Sequence, residues 1–412
     1  MAEKYHQKIN QLCLGSKEYV LVLPGWYPTW QEPFLGDFNQ RHVQATSAYT
    51  GQVVLYIVKD QSTLLSQTET QFKQVNENLV EITVIYPGKR NKWADIFHSN
   101  FQFIRYLFTY AKMIKKRWGK PLLIHSYIVV RGGIGGWLLG KKWKLPFILS
   151  ENWTIYYPSD PGFFLKRNLL FKIFVRRVYK NVKTFLPVTN NLKRKVNTIF
   201  GDVPSVIVPN VVDTNLFHFK KPYVANETFR FIHVSTMNYQ KNPEGLLRSF
   251  KKFTLNHPSV ELWMVGPYPE DLLQYAKNIG LREPVIHFTG PVSYTKVSEY
   301  LQASNALVLF SRYENLPCVI LEALCCGLPV VSTDVGGIAE VIDSSNGVLV
   351  ANEDEEELFQ AFSLVFDQYH QFNRKSISAT ASKLYNYSEI GKQINSVYSA
   401  LKWSDKTKSR NE

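Results

Sequence analysis

Residues 307–340 read LVLFSRYENLPCVILEALCCGLPVVSTDVGGIAE, and this stretch decides how the chain folds. Its apolar beginning, which ends at Phe310, has the length and composition of a buried strand. A short polar loop follows, and Pro317 suits the first turn of a helix. Glu314 precedes that helix, and Glu322 lies about five residues inside it, roughly 7–8 Å along its axis. A strand, a polar loop and a helix in this order are typical of an α/β domain.

The same loop and helix are suited to binding a diphosphate. A helix N-terminus offers free N–H groups and the positive end of a dipole. In an open α/β sheet the ligand lies outside the carboxyl ends of the strands. Glu322 could then accept hydrogen bonds from ribose hydroxyls, and Glu314 from a transferred sugar, with Asn315, Leu316 and Pro317 between them. The spacing alone fits equally well a capped helix with one surface glutamate and one structural glutamate.

The rest of the chain repeats this alternation of strands and helices. Short apolar runs alternate with amphipathic segments of helix length, which predicts parallel sheets covered by helices on both faces. The pattern restarts after Pro209, and the segment 210–227 resembles a linker. We therefore predict two doubly wound α/β domains, residues 1–208 and 209–385. For the last segment, 386–412, we expect a helix and a polar tail, and a return of the helix to the first domain is left open.

Composition narrows the class of protein. Of the 412 residues, 45% are hydrophobic and 20% are charged, as in ordinary globular domains. The four cysteines have no C-x-x-C spacing, which favours reduced thiols. Neither a signal-peptide pattern nor an apolar run of about 18 residues occurs, so we expect a cytoplasmic protein.

The positive charge is confined to one half of the chain. Residues 1–205 hold 29 Lys+Arg against 12 Asp+Glu (+17), and the remaining 207 hold 19 against 22 (−3). Basic helices with aromatic residues, at 101–120 and 163–180, suit an anionic membrane surface. Their apolar faces are more simply explained as domain core, with the lysines in solvent. A peripheral position on the cytoplasmic membrane face is thus one interpretation, whereas no nucleic-acid recognition module is present.

Several motifs together resemble one enzyme family. Glu314-x7-Glu322, the run 327–332 (GLPVVS), the element 208–213 (VPNVVD) and the loop Phe288-Thr289-Gly290 closely resemble the retaining GT-B glycosyltransferases of family 4. This resemblance implies two Rossmann-like domains facing a central cleft. It also implies a nucleoside-diphosphate sugar as donor, bound by the second domain, and a carbohydrate or lipid-linked acceptor, bound by the first. The expected reaction serves cell-envelope polysaccharide or glycolipid synthesis.

The resemblance also assigns donor-binding residues. In the family a lysine at the position of Lys241 contacts the diphosphate, beside an arginine a few residues earlier. Here the loop from Ser235 to Lys241 has no arginine, so the cationic clamp is halved unless Arg312 or another residue replaces it. Gly36 matches a glycine that permits close approach to the phosphates. Gly290 belongs to the loop that faces the nucleobase in relatives.

The catalytic assignment rests on Glu314 and Asn152. Relatives commonly carry a histidine where Asn152 stands, and an asparagine cannot act as an acid or base, although it can donate a hydrogen bond. In retaining members the leaving phosphate oxygen is thought to take the acceptor proton, so the reaction does not require that histidine. His125, which ends another strand, is more readily explained as a core histidine.

No Asp-x-Asp motif is present, so we expect no metal and no cofactor, with Lys241 and the helix dipole stabilising the departing diphosphate. Three alternatives remain: a catalytically inactive sugar-nucleotide-binding or scaffold protein of the same fold, an adaptor at a membrane or nucleic acid, and an epimerase.

Overall fold

The computed structural model describes residues 7–62, 65–89, 91–220 and 228–408; for residues 92–93 and 403–408 only the backbone is considered. Part of the predicted linker (221–227) and the end of the predicted tail (409–412) lie outside these ranges.

The first half of the chain forms a seven-stranded sheet in the order β3-β4-β2-β1-β5-β6-β7. All neighbouring strands are parallel except β3, which runs antiparallel to β4. The central strands are buried on both faces, as their continuous apolar sequences predict. The strands are β1 (Tyr19–Pro24), β2 (Gly51–Lys59), β3 (Glu69–Asn76), β4 (Leu79–Tyr86), β5 (Ile124–Tyr127), β6 (Phe147–Glu151) and β7 (Thr184–Pro187).

The second half forms a six-stranded parallel sheet in the order β10-β9-β8-β11-β12-β13. The strand order reverses between β8 and β11, and in such sheets this switch point is where ligands bind. The strands are β8 (Phe229–Val234), β9 (Val260–Val265), β10 (Ile286–Gly290), β11 (Ala306–Leu309), β12 (Val330–Thr333) and β13 (Gly347–Val350).

Helices cover both faces of each sheet, so the structure confirms the predicted class of two doubly wound α/β sheets. In the first half they are α1 (Asp37–Ser47), α2 (Lys92–Trp118), α3 (Ile134–Trp143), α4 (Leu169–Asn181) and α5 (Asn190–Phe200). In the second half they are α6 (Pro243–Thr254), α7 (Glu270–Asn278), α8 (Tyr294–Gln302), α9 (Cys318–Cys325), α10 (Glu355–Asp367), α11 (Arg374–Tyr385) and α12 (Tyr387–Lys408).

Helix α12 packs on α1 of the first half. A glycine permits the close approach, because a Cβ added to Gly391 would lie 2.3 Å from the carbonyl oxygen of Ala45. The Tyr398 hydroxyl shares a hydrogen bond of 2.7 Å with His125 Nδ1, and Thr50 Oγ1 donates to Asn395 Oδ1 at 2.7 Å. Helix α12 therefore packs against the first domain, as the return of the last helix would require.

Three elements of the structure differ from the sequence prediction. The sequence ETQFKQVN does not predict strand β3, because it is polar and its side chains are mostly exposed. The apolar residues 205–208 predict a strand, but they form only an isolated bridge between Ser205 and Phe185. The pattern predicts a helix from Phe164, but α4 begins at Leu169, because the Asn168 side chain accepts a hydrogen bond from Phe171 N and caps the helix there.

Candidate functional site

The two loops at the switch point of the second sheet are joined to each other. One loop leads from β8 to α6, and the other from β11 to α9. Arg312 N donates to the carbonyl oxygen of Gln240 at 2.7 Å, and Gln240 Nε2 donates to that of Tyr313 at 2.9 Å. Glu314 and Lys241 are thereby held side by side at the carboxyl ends of neighbouring strands.

Helix α9 is short, buried and fixed at both ends. The sequence predicts Pro317 in the first turn of the helix. In the structure Pro317 is extended and the helix begins at the next residue, Cys318. Gly327 ends it with φ +75°, and the amides of Gly327 and Leu328 bond back to the carbonyls of Leu324 and Ala323. Glu322 is the one charged residue of this helix, and it is buried.

Glu314 forms an ion pair with Lys241. The Lys241 ammonium donates to one carboxylate oxygen of Glu314, and Gln240 Nε2 donates to the other at 3.3 Å. Behind the loop, a Cβ on Gly336 would lie 1.9 Å from the Glu314 carbonyl oxygen, so only glycine fits there, and its φ of +62° also favours glycine. Glu314 is therefore positioned from both the backbone and the side chain.

A chain of amides connects this loop to the first domain. Asn315 Nδ2 donates to the carbonyl oxygen of Asn152 at 2.8 Å, and Asn152 Nδ2 donates to Asn210 Oδ1 at 3.3 Å. Asn210 Nδ2 then donates to the carbonyl oxygen of Leu316 at 2.7 Å. The structure thus brings Asn152, Asn315 and Leu316 together across the domain junction, through a residue of the VPNVVD element.

Glu151 fixes the backbone of Asn152. Its buried carboxylate accepts hydrogen bonds from the amides of Val129, Asn152 and Trp153 and from the hydroxyl of Tyr156, all between 2.9 and 3.0 Å. Burial raises the pKa of Glu151 to about 7, while these donors act in the opposite direction.

Glu322 contacts the first domain directly. Its Oε1 accepts hydrogen bonds from Arg41 Nη1 at 3.2 Å and from the hydroxyl of Tyr294 at 2.8 Å. The guanidinium of Arg41 also lies 4.7 Å from the ring centre of Tyr294 and 3.5 Å from Asp37 Oδ2. Burial raises the pKa of Glu322, and the charge of Arg41 opposes this rise. The α1 helix of one domain and α9 of the other are therefore joined by a buried ion pair.

The remaining predicted residues lie around this centre but make other contacts. Ser235 follows β8, and its hydroxyl bonds with His233 Nε2 and the amide of Met237. Gly290 has φ +68° with open space where a Cβ would be, and its carbonyl accepts from Gly266 N. Gly36 packs against Trp26 of its own domain, where a Cβ would lie 2.5 Å from the Trp26 carbonyl group. Among the described residues, Ser235, Gly290 and Gly36 make no hydrogen bond to Glu314 or Glu322.

Two side chains that the sequence left open have clear structural surroundings. Arg312 pairs with Glu353 at 2.8 Å and donates to the carbonyl oxygen of Tyr239, so its guanidinium already has two acceptors. His125 is fully buried between Tyr398 and the Ser150 hydroxyl, and burial lowers its pKa. It is the core histidine that the sequence favoured.

Sequence reasoning missed Arg41 and Tyr294. Arg41 is 281 positions from Glu322, and the sequence shows no pattern that pairs them. Tyr294 follows Gly290 by four residues at the start of α8, so the loop after β10 was the available signal.

The second domain matches a known protein family. Residues 216–383 match the family model of the glycosyl transferases group 1. A phosphatidylinositol N-acetylglucosaminyltransferase subunit from Arabidopsis thaliana is 26% identical over 219 residues, which are 52% of this chain and 49% of that protein. A D-inositol 3-phosphate glycosyltransferase 2 from Catenulispora acidiphila is 25% identical over 278 residues, which are 60% of this chain and 63% of that one. The chain thus spans about half to two thirds of the length of these two relatives.

Solved structures resemble nearly the whole chain. Sucrose-phosphate synthase from Thermosynechococcus elongatus superposes with a TM-score of 0.73 at 16% identity, covering 93% of this chain and 99% of that one. Anabaena HepE in complex with UDP and glucose superposes with a TM-score of 0.69 at 17% identity, with the same coverage. This chain therefore has the GT-B fold, and its residues 216–383 resemble the glycosyl transferases group 1.

Proposed function

We propose that this protein is a retaining, metal-independent glycosyltransferase that moves a sugar from a nucleoside-diphosphate sugar to an acceptor hydroxyl. One observation carries the proposal. The loop Glu314–Pro317, in which Glu314 is paired with Lys241, is hydrogen-bonded through Asn315 to Asn152 of the other domain. Polar groups from both domains therefore meet at the switch point, where a reaction between a donor and an acceptor can be enclosed.

The donor would lie along the second domain. Glu322 and the Gly290 loop suit the nucleoside end, the amides at the start of α9 and the ammonium of Lys241 suit the diphosphate, and Glu314 suits the hydroxyls of the sugar. Both glutamates already accept hydrogen bonds in this structure, Glu314 from Lys241 and Gln240, and Glu322 from Arg41 and Tyr294. Donor hydroxyls would replace or share these donors. A complex of UDP-glucose with HepE, a protein of the same fold, supports a donor of this class.

In the proposed reaction, the acceptor oxygen forms a bond to the anomeric carbon on the face from which the diphosphate leaves. The bond between that carbon and the phosphate oxygen breaks, and the departing phosphate oxygen takes the acceptor proton. Lys241 and the N-terminal amides of α9 stabilise the negative charge that develops on the diphosphate. Asn152 donates a hydrogen bond rather than a proton, as an amide side chain can.

The acceptor would bind the first domain, in synthesis of a cell-envelope polysaccharide or a glycolipid at the cytoplasmic face of a membrane. Relatives whose names specify phosphatidylinositol or a polysaccharide support an acceptor of this kind. None of the helices in the described ranges combines the length and hydropathy that crossing a bilayer requires.

A donor panel tests the proposal. We expect one of the UDP-, GDP- and ADP-sugars to raise the melting temperature, because a ligand that binds only the folded state stabilises it. The same donor should then be hydrolysed or transferred. If a donor raises the melting temperature but is neither hydrolysed nor transferred, the result would instead support an inactive sugar-nucleotide-binding protein. Two features of the sequence favour that alternative: the absence of an arginine before Lys241 and the presence of Asn152.

A further inference from the structure

The basic helices of the first domain leave a large apolar surface exposed. Leu165, Leu169 and Leu170 are 50%, 69% and 69% exposed, and Ile173 and Phe174 lie on the same side of α4. The opposite side of α4 contains Val175, Val178 and Tyr179, which are buried in the domain core. The helix therefore has two apolar faces, and only one of them is needed for packing. We call the five exposed residues the rim patch.

The rim patch lies at the edge of the sheet where the proposed reaction takes place. Strand β6 ends at Glu151, next to Asn152, and the chain then runs to the N-terminus of α4. Helices α2, α3 and α4 each connect one strand to another that lies closer to β7 in the sheet. Because such connections are right-handed, the three helices cover the same face of the sheet. Phe97 and Phe101, also exposed, lie near the N-terminus of α2 and hence near the same edge.

The exposed charge of the chain segment that contains the rim patch has one sign. Residues 96–201, which span most of α2 and all of α3 to α5, hold 20 Lys+Arg and only two acidic residues, Glu151 and Asp160. Both acidic side chains are buried, so the charged side chains exposed in this segment are cationic. Arg176 and Arg177 are exposed on α4, two and three residues after Phe174, and Lys166 and Arg167 lie between Leu165 and Leu169 in the sequence.

We propose that the rim patch is a docking surface for an anionic phospholipid bilayer. Exposed leucines at the end of a basic helix can enter the boundary between headgroups and acyl chains, while the cations attract anionic lipids. An exposed apolar cluster of this kind marks an interaction site, and the cationic residues beside it favour an anionic partner. A nucleic acid fits less well, since four of the five side chains are aliphatic and offer no ring on which a base can stack.

Docking in this orientation presents the cleft edge of the first domain to the membrane. An acceptor held in the bilayer by its lipid could then reach Asn152 without leaving the membrane. This role in catalysis rests on the function proposed above, whereas membrane binding itself is measured without donor or acceptor.

Vesicle co-sedimentation tests the proposal. We expect the protein to bind vesicles of phosphatidylcholine mixed with phosphatidylglycerol at low salt, and to bind phosphatidylcholine alone much more weakly. Arg176→Gln/Arg177→Gln should reduce the partition coefficient about 30-fold, because each cation near the surface contributes about fivefold. Leu169→Ser/Leu170→Ser should also reduce it by about tenfold or more.

Leu255→Ser is the matched control, since Leu255 is 70% exposed but lies in the second domain. This variant should bind as the wild type does, and all variants should keep the wild-type melting temperature because the altered side chains are exposed. The proposal is overturned if the wild type does not bind anionic vesicles or if the α4 variants bind them as well as the wild type does. It is also overturned if single-stranded RNA displaces the protein from the vesicles. A donor-induced shift in melting temperature that persists in the α4 variants would show that the donor site is intact, whatever the vesicles show.

Discussion

The ion pair between Arg41 and Glu322 makes a quantitative prediction about how the two domains are held together. The two side chains are 8% and 6% exposed, so solvent screens their charges little. In Arg41→Met, Glu322 would stay buried with the Tyr294 hydroxyl as its remaining hydrogen-bond donor among the described residues. Breaking such a pair from one side typically costs about 3–5 kcal/mol. Since Tyr294 remains, we expect a loss near the lower end, about 3 kcal/mol in the free energy of unfolding.

The double variant Arg41→Met/Glu322→Met separates the ion pair from simple loss of packing. Replacing both partners of a buried pair by apolar residues is often neutral. We therefore expect the double variant to be more stable than Arg41→Met, with a coupling energy of at least about 3 kcal/mol. Urea unfolding, followed by tryptophan fluorescence and by circular dichroism, measures these differences where the two signals change together.

Two results would contradict a stabilising role for this ion pair. One is a loss below about 0.5 kcal/mol for Arg41→Met, which is the range of ordinary surface substitutions. The other is additivity, in which the double variant loses the sum of the two single losses. Arg248→Met is a suitable control, because its pair with Glu355 is half exposed and should contribute less than about 1 kcal/mol.

Four further predictions concern the site. Glu322→Ala should weaken donor affinity about 10- to 100-fold, because hydrogen bonds to a charged group are lost; unchanged affinity in a titration would remove Glu322 from the site. Glu314→Ala should chiefly lower kcat, and a change in KM alone would contradict its catalytic role. Lys241→Ala should lower kcat about 100-fold or more if it stabilises the leaving diphosphate, and normal turnover would exclude that role. For Glu151, whose pKa is raised to about 7 from 4.5, the folded protein binds a proton that the unfolded chain releases. The resulting stabilisation, up to about 3 kcal/mol, is complete below about pH 4.5 and is lost as the pH rises through 7. The free energy of unfolding of Glu151→Gln should therefore depend less on pH than that of the wild type, and an equally steep dependence would contradict this.

Local chemistry made part of the fold predictable. The strand, loop and helix around Glu314 follow from an apolar run, a polar loop and Pro317, and the structure has all three, with the helix beginning one residue later. Strand β3 was not predictable in this way, because a polar edge strand has no apolar pattern and owes its place to pairing with β4.

The contacts between the domains were beyond the sequence. Asn210 belongs to a recognisable motif at the start of a linker, but its bonds to Asn152 and Leu316 depend on how the two domains meet. The pairing of Arg41 with Glu322 depends on the same arrangement. For α4, the sequence could not decide between a core face and a membrane face; the structure has a buried apolar face and an exposed one, on opposite sides of the helix.

A crystal structure with a bound nucleoside-diphosphate sugar would show directly whether the donor binds at Glu322, Lys241 and Glu314. We expect the ribose hydroxyls within hydrogen-bonding distance of Glu322, the diphosphate between Lys241 and the N-terminus of α9, and the sugar beside Glu314. Density for the donor remote from these three side chains, under saturating conditions, would contradict the account.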